Sequence, residues 1–199
     1  MEKTMNFLAH IYLSGSSKEI AIGNFIADFV KGTAIEIYPP EIQKGILLHR
    51  KIDTFTDSHE TVKKSKKRLW TKYRHYSAVI VDVFYDHYLA KNWSKFSNSN
   101  LLDFTGNFYA IAEEFIRFIP QKAKKMLFYM KKDNWLYHYQ YIEGIDQALT
   151  GMSKRAAFES HMEEAAKDLE HHYEAFGQDF AIFFPQLRSF VQDISKDSL

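Results

Sequence analysis

"SAVIVDVFYDHYLAKNW", residues 77–93, begins with a run of Val and Ile that would suit a strand as well as a helix. Length separates the two readings. Apolar character continues to Trp93, far beyond the roughly five or six residues of an ordinary strand. On a helical wheel the hydrophobic side chains fall almost all round, which predicts a helix buried on every side at the centre of an all-α core. Yet this helix carries Asp82 and Asp86, one turn apart on the side of Val79, Val83, Leu89, Ala90 and Trp93, with His87 next to the second acid.

A lone buried carboxylate is costly unless it is paired, protonated or bound to a metal. The same anomaly recurs in "GILLHRKIDTFTDSHE", residues 45–60. His49, Asp53 and Asp57 follow at intervals of four, on the side that holds Ile42, Ile46, Leu48, Ile52 and Phe55. Lys44, Lys51 and Thr54 point the other way. Two helices with a histidine and acids on their apolar faces suggest one polar centre inside an apolar bundle. Asp28 in "GNFIADF" and His10 in "NFLAH" are further contributors.

Histidines with carboxylates and without thiolates suit divalent cations such as Mn²⁺, Fe²⁺, Mg²⁺ or Zn²⁺. Such an ion can turn water into a nucleophile and neutralise a phosphate. Arg50 lies about 20° from Asp57 on the wheel, so it either pairs with that acid or clamps a phosphate oxygen. Plainer roles stay open for these residues. His49 and Asp53 could form a buried hydrogen bond, Asp82 and Asp57 could cap a helix or pair with a cation, and His10 could be a core histidine. His171 and His172 face different directions and read as surface residues, whereas Phe180, Phe183 and Phe184 read as core.

The rest of the chain agrees with an all-α, single-domain helical bundle spanning residues 1–199. Serines precede a helix expected to run to Gly32, Pro39-Pro40 suits a first turn, Pro120 separates two helices and Gly177 marks an expected break. No strand-turn-strand signature, repeat or low-complexity run is present. The 199 residues include 17 Phe and 12 Tyr and are 46% hydrophobic, which excludes a disordered composition. There is no Cys, so disulfide frameworks, thiol nucleophiles and zinc–thiolate sites are excluded. No apolar run reaches the roughly 20 residues of a membrane span, and the start is too interrupted for a persuasive signal peptide. A cytoplasmic location is expected.

With a net charge of +1, attraction to a charged partner must come from local patches. Residues 61–74, "TVKKSKKRLWTKYR", hold seven Lys or Arg and no acid, and 121–132, "QKAKKMLFYMKK", form a second basic segment. In the first segment, Lys63, Lys64, Lys66, Lys67 and Arg68 either form a solvated face or are the contacts to an acidic partner. Trp70, Tyr73 and Tyr76 are interleaved, but no nucleic-acid-binding motif accompanies them, so nucleic acid is not the expected partner.

The motifs "MNFLAH", "GNFIADFVKG", "GILLHRKIDTFTD", "VDVFYDHYLAKNW" and "GMSKR" occur in the order seen in bacterial acyl carrier protein phosphodiesterases. From about Met5 to its last helices the chain resembles that family. The resemblance implies a helical fold distantly like the HD phosphohydrolases, although Asp86-His87 reverses the dipeptide that names them. It implies a divalent metal, Mn²⁺ foremost with Mg²⁺ or Fe²⁺ as alternatives. It also implies hydrolysis of holo-acyl carrier protein to 4′-phosphopantetheine and the apo protein by a metal-activated water. Carried over by motif, His10, Asp28, His49, Asp53, Asp86 and His87 are the expected metal ligands. Asp28 and Asp86 are also expected in the chemistry, with Arg50 stabilising phosphoryl charge. Two other activities fit the residues: hydrolysis of another small phosphodiester or nucleotide, and non-catalytic binding of carrier protein.

Overall fold

A computed structural model describes residues 7–196. Among these residues the secondary structure is helical, without a strand. In chain order the α-helices are α1 (Phe7–Leu13), α2 (Lys18–Ile26), α3 (Pro40–Ser58), α4 (Glu60–Tyr73), α5 (Ser77–Lys91) and α6 (Leu101–Glu114). They continue with α7 (Gln121–Lys132), α8 (Trp135–His138), α9 (Ile142–Ser153), α10 (Ala165–His171) and α11 (Tyr173–Lys196). No helix among the described residues is long and apolar enough to cross a membrane.

The all-round apolar pattern of α5 has the expected outcome. This helix lies against α1, α4, α9 and α11, and Ile80, Val81, Val83, Phe84 and Leu89 are fully enclosed. Each such side chain contributes about 1.5–3 kcal/mol by leaving water. Trp93, at the end of the apolar run, sits in a 3₁₀ turn after the helix.

Two helix boundaries differ from the sequence expectation. The helix beginning after Ser17, whose hydroxyl accepts from the Ile20 N–H at 3.2 Å, stops at Ile26 instead of continuing to Gly32. A 3₁₀ turn, Ala27–Phe29, follows and carries Asp28. Gly177 breaks nothing, because α11 runs through both it and Pro185. A Cβ on Gly177 would stand 3.2 Å from the Tyr88 ring, so the glycine makes room for an aromatic neighbour.

The contact that positions the polar centre is the crossing of α2 and α3. A Cβ added to Gly23 would lie 2.1 Å from the Ile42 carbonyl oxygen, and one added to Gly45 would lie 2.3 Å from that of Ile20. Two backbones touch here, with no side chain between them. The close approach brings the last turn of α2 directly against His49 on α3.

Candidate metal centre and active site

The α-helical ladder of α2 ends at Ile26, leaving the Asn24 carbonyl in the last turn, where helix carbonyls lack intrahelical partners. His49 Nδ1 takes up this orphan at 2.9 Å and also lies 3.1 Å from Asn24 Oδ1. The Asn24 side-chain amide donates to the His10 carbonyl at 2.9 Å and to Ser14 Oγ at 3.0 Å. Its Oδ1 is therefore the acceptor, and His10 Nδ1 approaches it at 2.7 Å. Both imidazoles must carry their proton on Nδ1. In the neutral rings, both Nε2 lone pairs are consequently left for another partner.

Those nitrogens face carboxylates. His10 Nε2 lies 3.4 Å from Asp53 Oδ1, His49 Nε2 lies 3.5 Å from Asp53 Oδ2, and His49 Nε2 lies 3.4 Å from Asp28 Oδ1. The rings stack with centroids 4.0 Å apart. His10 Nε2 is buried and makes no hydrogen bond. Donors about 2.0–2.2 Å from a shared ion stand roughly 3 to 3.5 Å from one another. His10, His49 and Asp53 thus form a group able to hold a divalent metal, with one donor atom of each lying within 4.8 Å of the others. The orphaned imidazole nitrogen, the locked tautomers and the thiolate-free donor set all fit such an ion.

Burial and the neighbouring charges act on these groups in opposite directions. Burial pulls the His49 imidazole down, but Asp28 and Asp53 outweigh it and lift its pKa to about 9. Burial and the neighbouring His49 charge both lower His10, against the opposing pull of Asp53. Burial works to raise Asp53, yet the two imidazoles hold its carboxyl well below the usual carboxylate range. The centre is poised to keep anionic oxygen next to imidazole nitrogen.

His49, Asp28 and Asp53 line a cavity of about 760 Å³, within the range of small-molecule sites. Its walls come from the turn after α2, from α3, from the start of α7, from Trp135 and from Arg155. Cations dominate: Lys31, Arg50, Lys122, Lys125 and Arg155 accompany the two carboxylates. Arg50 donates to the Val30 carbonyl at 3.3 Å and does not pair with Asp57, which binds Lys66 at 2.7 Å.

Asp86 and His87, also expected as ligands, are placed apart from the His10, His49 and Asp53 group. Asp86 is completely buried and accepts from Leu8 N–H and Ala9 N–H, both at 2.9 Å, closing the first turn of α1. Burial pushes its carboxyl up to about 7, against the pull of those two amides. The Nδ1–H of His87 donates to the Tyr139 carbonyl at 2.8 Å, and its Nε2 accepts from the Tyr173 hydroxyl at 2.8 Å. Both residues have their polar atoms engaged away from the metal group. Burial pushes the Asp82 carboxyl well up; Lys66 opposes this, and Asp53, Asp57 and Asp86 add to it.

Asp86→Ala should therefore act on stability. It would leave two amide donors without their acceptor, a loss of about 2–4 kcal/mol. Asp86→Asn retains one carbonyl oxygen and should lose less. Urea unfolding of the two variants checks this, and equal midpoints for alanine, asparagine and wild type would refute the capping role.

Much of the basic run of α4 is held in ion pairs within the chain. Lys63 pairs with Glu60 at 2.7 Å, Lys64 with Asp179 at 3.4 Å, Lys66 with Asp57, and Arg68 with Asp179. Lys67 is the member of the expected patch with no ion pair among the described residues. None of these residues lines the cavity, which takes its α-helical cations from α3 and α7 instead.

Sequence reasoning missed Asn24, although "GNFIAD" places it one turn before Asp28, a usable signal. It also missed Lys31 and Arg155, and saw Lys122 and Lys125 only as part of a second basic segment; the four become neighbours through tertiary packing.

A family model described as acyl carrier protein phosphodiesterase matches residues 5–187. A protein from Yersinia enterocolitica serotype O:8 / biotype 1B, named acyl carrier protein phosphodiesterase, is 32% identical over 190 residues, covering 95% of this chain and 98% of its own length. A Yersinia pestis protein of the same name is 32% identical over 184 residues, covering 92% and 95% of the two chains. One from Salmonella agona is 30% identical over 184 residues with the same coverage. No solved structure matches the chain.

Proposed function

The chain belongs to the acyl carrier protein phosphodiesterase family, and from that premise we propose that it hydrolyses the phosphodiester of holo-acyl carrier protein. The products are 4′-phosphopantetheine and apo-acyl carrier protein with a free serine, and the whole chain acts as one catalytic domain. The observation that carries the reading is the pair of Nδ1-protonated imidazoles whose Nε2 atoms meet Asp53 and Asp28 on the wall of a cation-rich cavity.

His10, His49 and Asp53, with Asp28 beside them, are the residues to hold a divalent ion, Mn²⁺ in this reading. When bound, the ion supplies a water of lowered pKa and neutralises phosphate charge. Asn24 keeps both imidazoles in the tautomer that presents Nε2. Asp28, part of the cavity wall, orients the attacking water as a hydrogen-bond acceptor. Arg50 and Arg155 bind the non-bridging phosphoryl oxygens and stabilise charge as it grows there. The water oxygen bonds to phosphorus as the bond from phosphorus to the serine oxygen breaks, the proton given up by the water passes to the serine alkoxide, and the arm leaves as the phosphate monoester. Asp86 and His87 serve this site indirectly, by seating α1 and joining α5 to its neighbours.

Intact mass spectrometry of holo-acyl carrier protein tests the reading. Incubation with the protein and Mn²⁺ should remove the phosphopantetheine mass, and prior treatment with a chelator should abolish the loss until metal is restored. An unchanged mass with folded, metal-loaded enzyme would refute the substrate. Full activity after exhaustive chelation would refute the metal.

A further inference from the structure

Both basic segments of the sequence have the charge to attract an acidic protein, but only one of them combines free charge, exposed apolar surface and access to the cavity. Helix α7 buries Ala123, Leu127 and Met130 and turns its other side outward. There Phe128 is 64% exposed and Tyr129 53% exposed, their rings in edge contact at 5.3 Å. Lys124, Phe128 and Lys132 follow one another at intervals of four, so they lie in a row along the helix, with Lys125 beside it. Lys124, Lys125 and Lys132 form no ion pair among the described residues, whereas Lys131 is held by Glu113. The adjacent row, Lys125 and Tyr129, belongs to the cavity wall. One helix therefore offers an outer face to a partner and an inner edge to the phosphodiester.

We infer that α7 is the docking helix for the carrier protein, with Phe128 as the apolar anchor and Lys124 and Lys132 meeting acidic side chains of the partner. The inference rests on the functional reading above. An acidic protein surface laid along α7 would bring the prosthetic arm over the Tyr129 edge into the cavity. Large exposed aromatics near a charged rim are the residues that anchor protein interfaces, and matched charges orient the encounter. The occupant is an acidic protein: Lys124, Lys125 and Lys132 supply positive charge beside the exposed Phe128 and Tyr129 rings, and the functional reading supplies a protein substrate.

Steady-state hydrolysis by Mn²⁺-loaded enzyme separates the possibilities, using holo-acyl carrier protein and a short phosphopantetheinyl-serine peptide as substrates. The K124E/F128S variant should raise KM for the holo protein by about 10- to 100-fold, with kcat little changed. Its turnover of the peptide should stay within about twofold of wild type, which also shows that the variant is folded, and K63E/K67E on α4 should leave both substrates unaffected. Wild-type KM for the holo protein in K124E/F128S, or an equal rise in K63E/K67E, would overturn the docking surface. Failure of the unmutated enzyme to cleave the holo protein, while it cleaves the peptide, would overturn the functional reading itself, and with it the need for a docking helix.

Discussion

Asp53→Asn is expected to lower kcat/KM for holo-acyl carrier protein by about a thousandfold or more, roughly 4 kcal/mol of transition-state stabilisation. Each oxygen of Asp53 faces a different imidazole, Oδ1 to His10 at 3.4 Å and Oδ2 to His49 at 3.5 Å. The carboxylate is thus the element shared between the two nitrogen donors. Its charge is also secure: despite the burial that works against it, the imidazoles keep it ionised far below neutral pH. Asparagine preserves the shape but removes the charge and replaces one oxygen donor with an NH₂ group that cannot ligate a cation. The bound metal per molecule, measured by elemental analysis after gel filtration, should fall together with turnover, while far-UV circular dichroism remains helical. Wild-type turnover and metal content in this variant would remove Asp53 from the centre.

Gly45→Ala should produce the second large effect, a destabilisation of about 3–5 kcal/mol, above the usual cost of overpacking. The new methyl would stand 2.3 Å from the Ile20 carbonyl oxygen and 2.9 Å from both the Asn24 nitrogen and the Gly23 Cα. All three are backbone atoms, so no side-chain rotation relieves the clash and α2 must move away from α3. That movement would draw Asn24 from His49 and leave Nδ1 without its carbonyl, so the folded fraction should also bind metal more weakly, by about 10- to 100-fold. Gly106→Ala in α6 is the matched control: a Cβ there meets nothing within 4 Å, and the substitution should stabilise by about 0.5–1 kcal/mol. Urea midpoints for the two variants decide the matter. A Gly45→Ala protein as stable as Gly106→Ala would mean that the helices do not cross in contact.

Much of the fold could be read from single segments. The apolar side chains almost all round α5 specified a buried central helix despite Asp82 and Asp86, and α3 displayed its polar centre through the spacing of His49 and Asp53. Pro40 and Pro120 marked helix starts correctly because the constraint on a proline is local. Gly177 misled the reading because two different pressures select glycine, helix termination and close packing, and only the position of the Tyr88 ring shows which one acts.

The candidate site was legible to a lesser extent. The residue types alone determined the kind of centre: imidazole and carboxylate on apolar faces require either satisfied hydrogen bonds or a hard to borderline cation. Tertiary structure decided which of these side chains lie together. In sequence, Asp86-His87 looks as good as His49 and Asp53, but Asp86 closes the start of α1, and His87 joins the Tyr139 carbonyl to the Tyr173 hydroxyl. Likewise, two lysine-rich helices look alike until the acids of α3 and α11 are seen paired with α4, leaving α7 at the cavity. The reason is physical. Periodicity along one helix states which face is buried, since that depends on 3.6 residues per turn. What that face is buried against depends on how remote segments pack, and here a pair of glycines, Gly23 and Gly45, lets α2 approach α3 closely enough for Asn24 to reach both histidines.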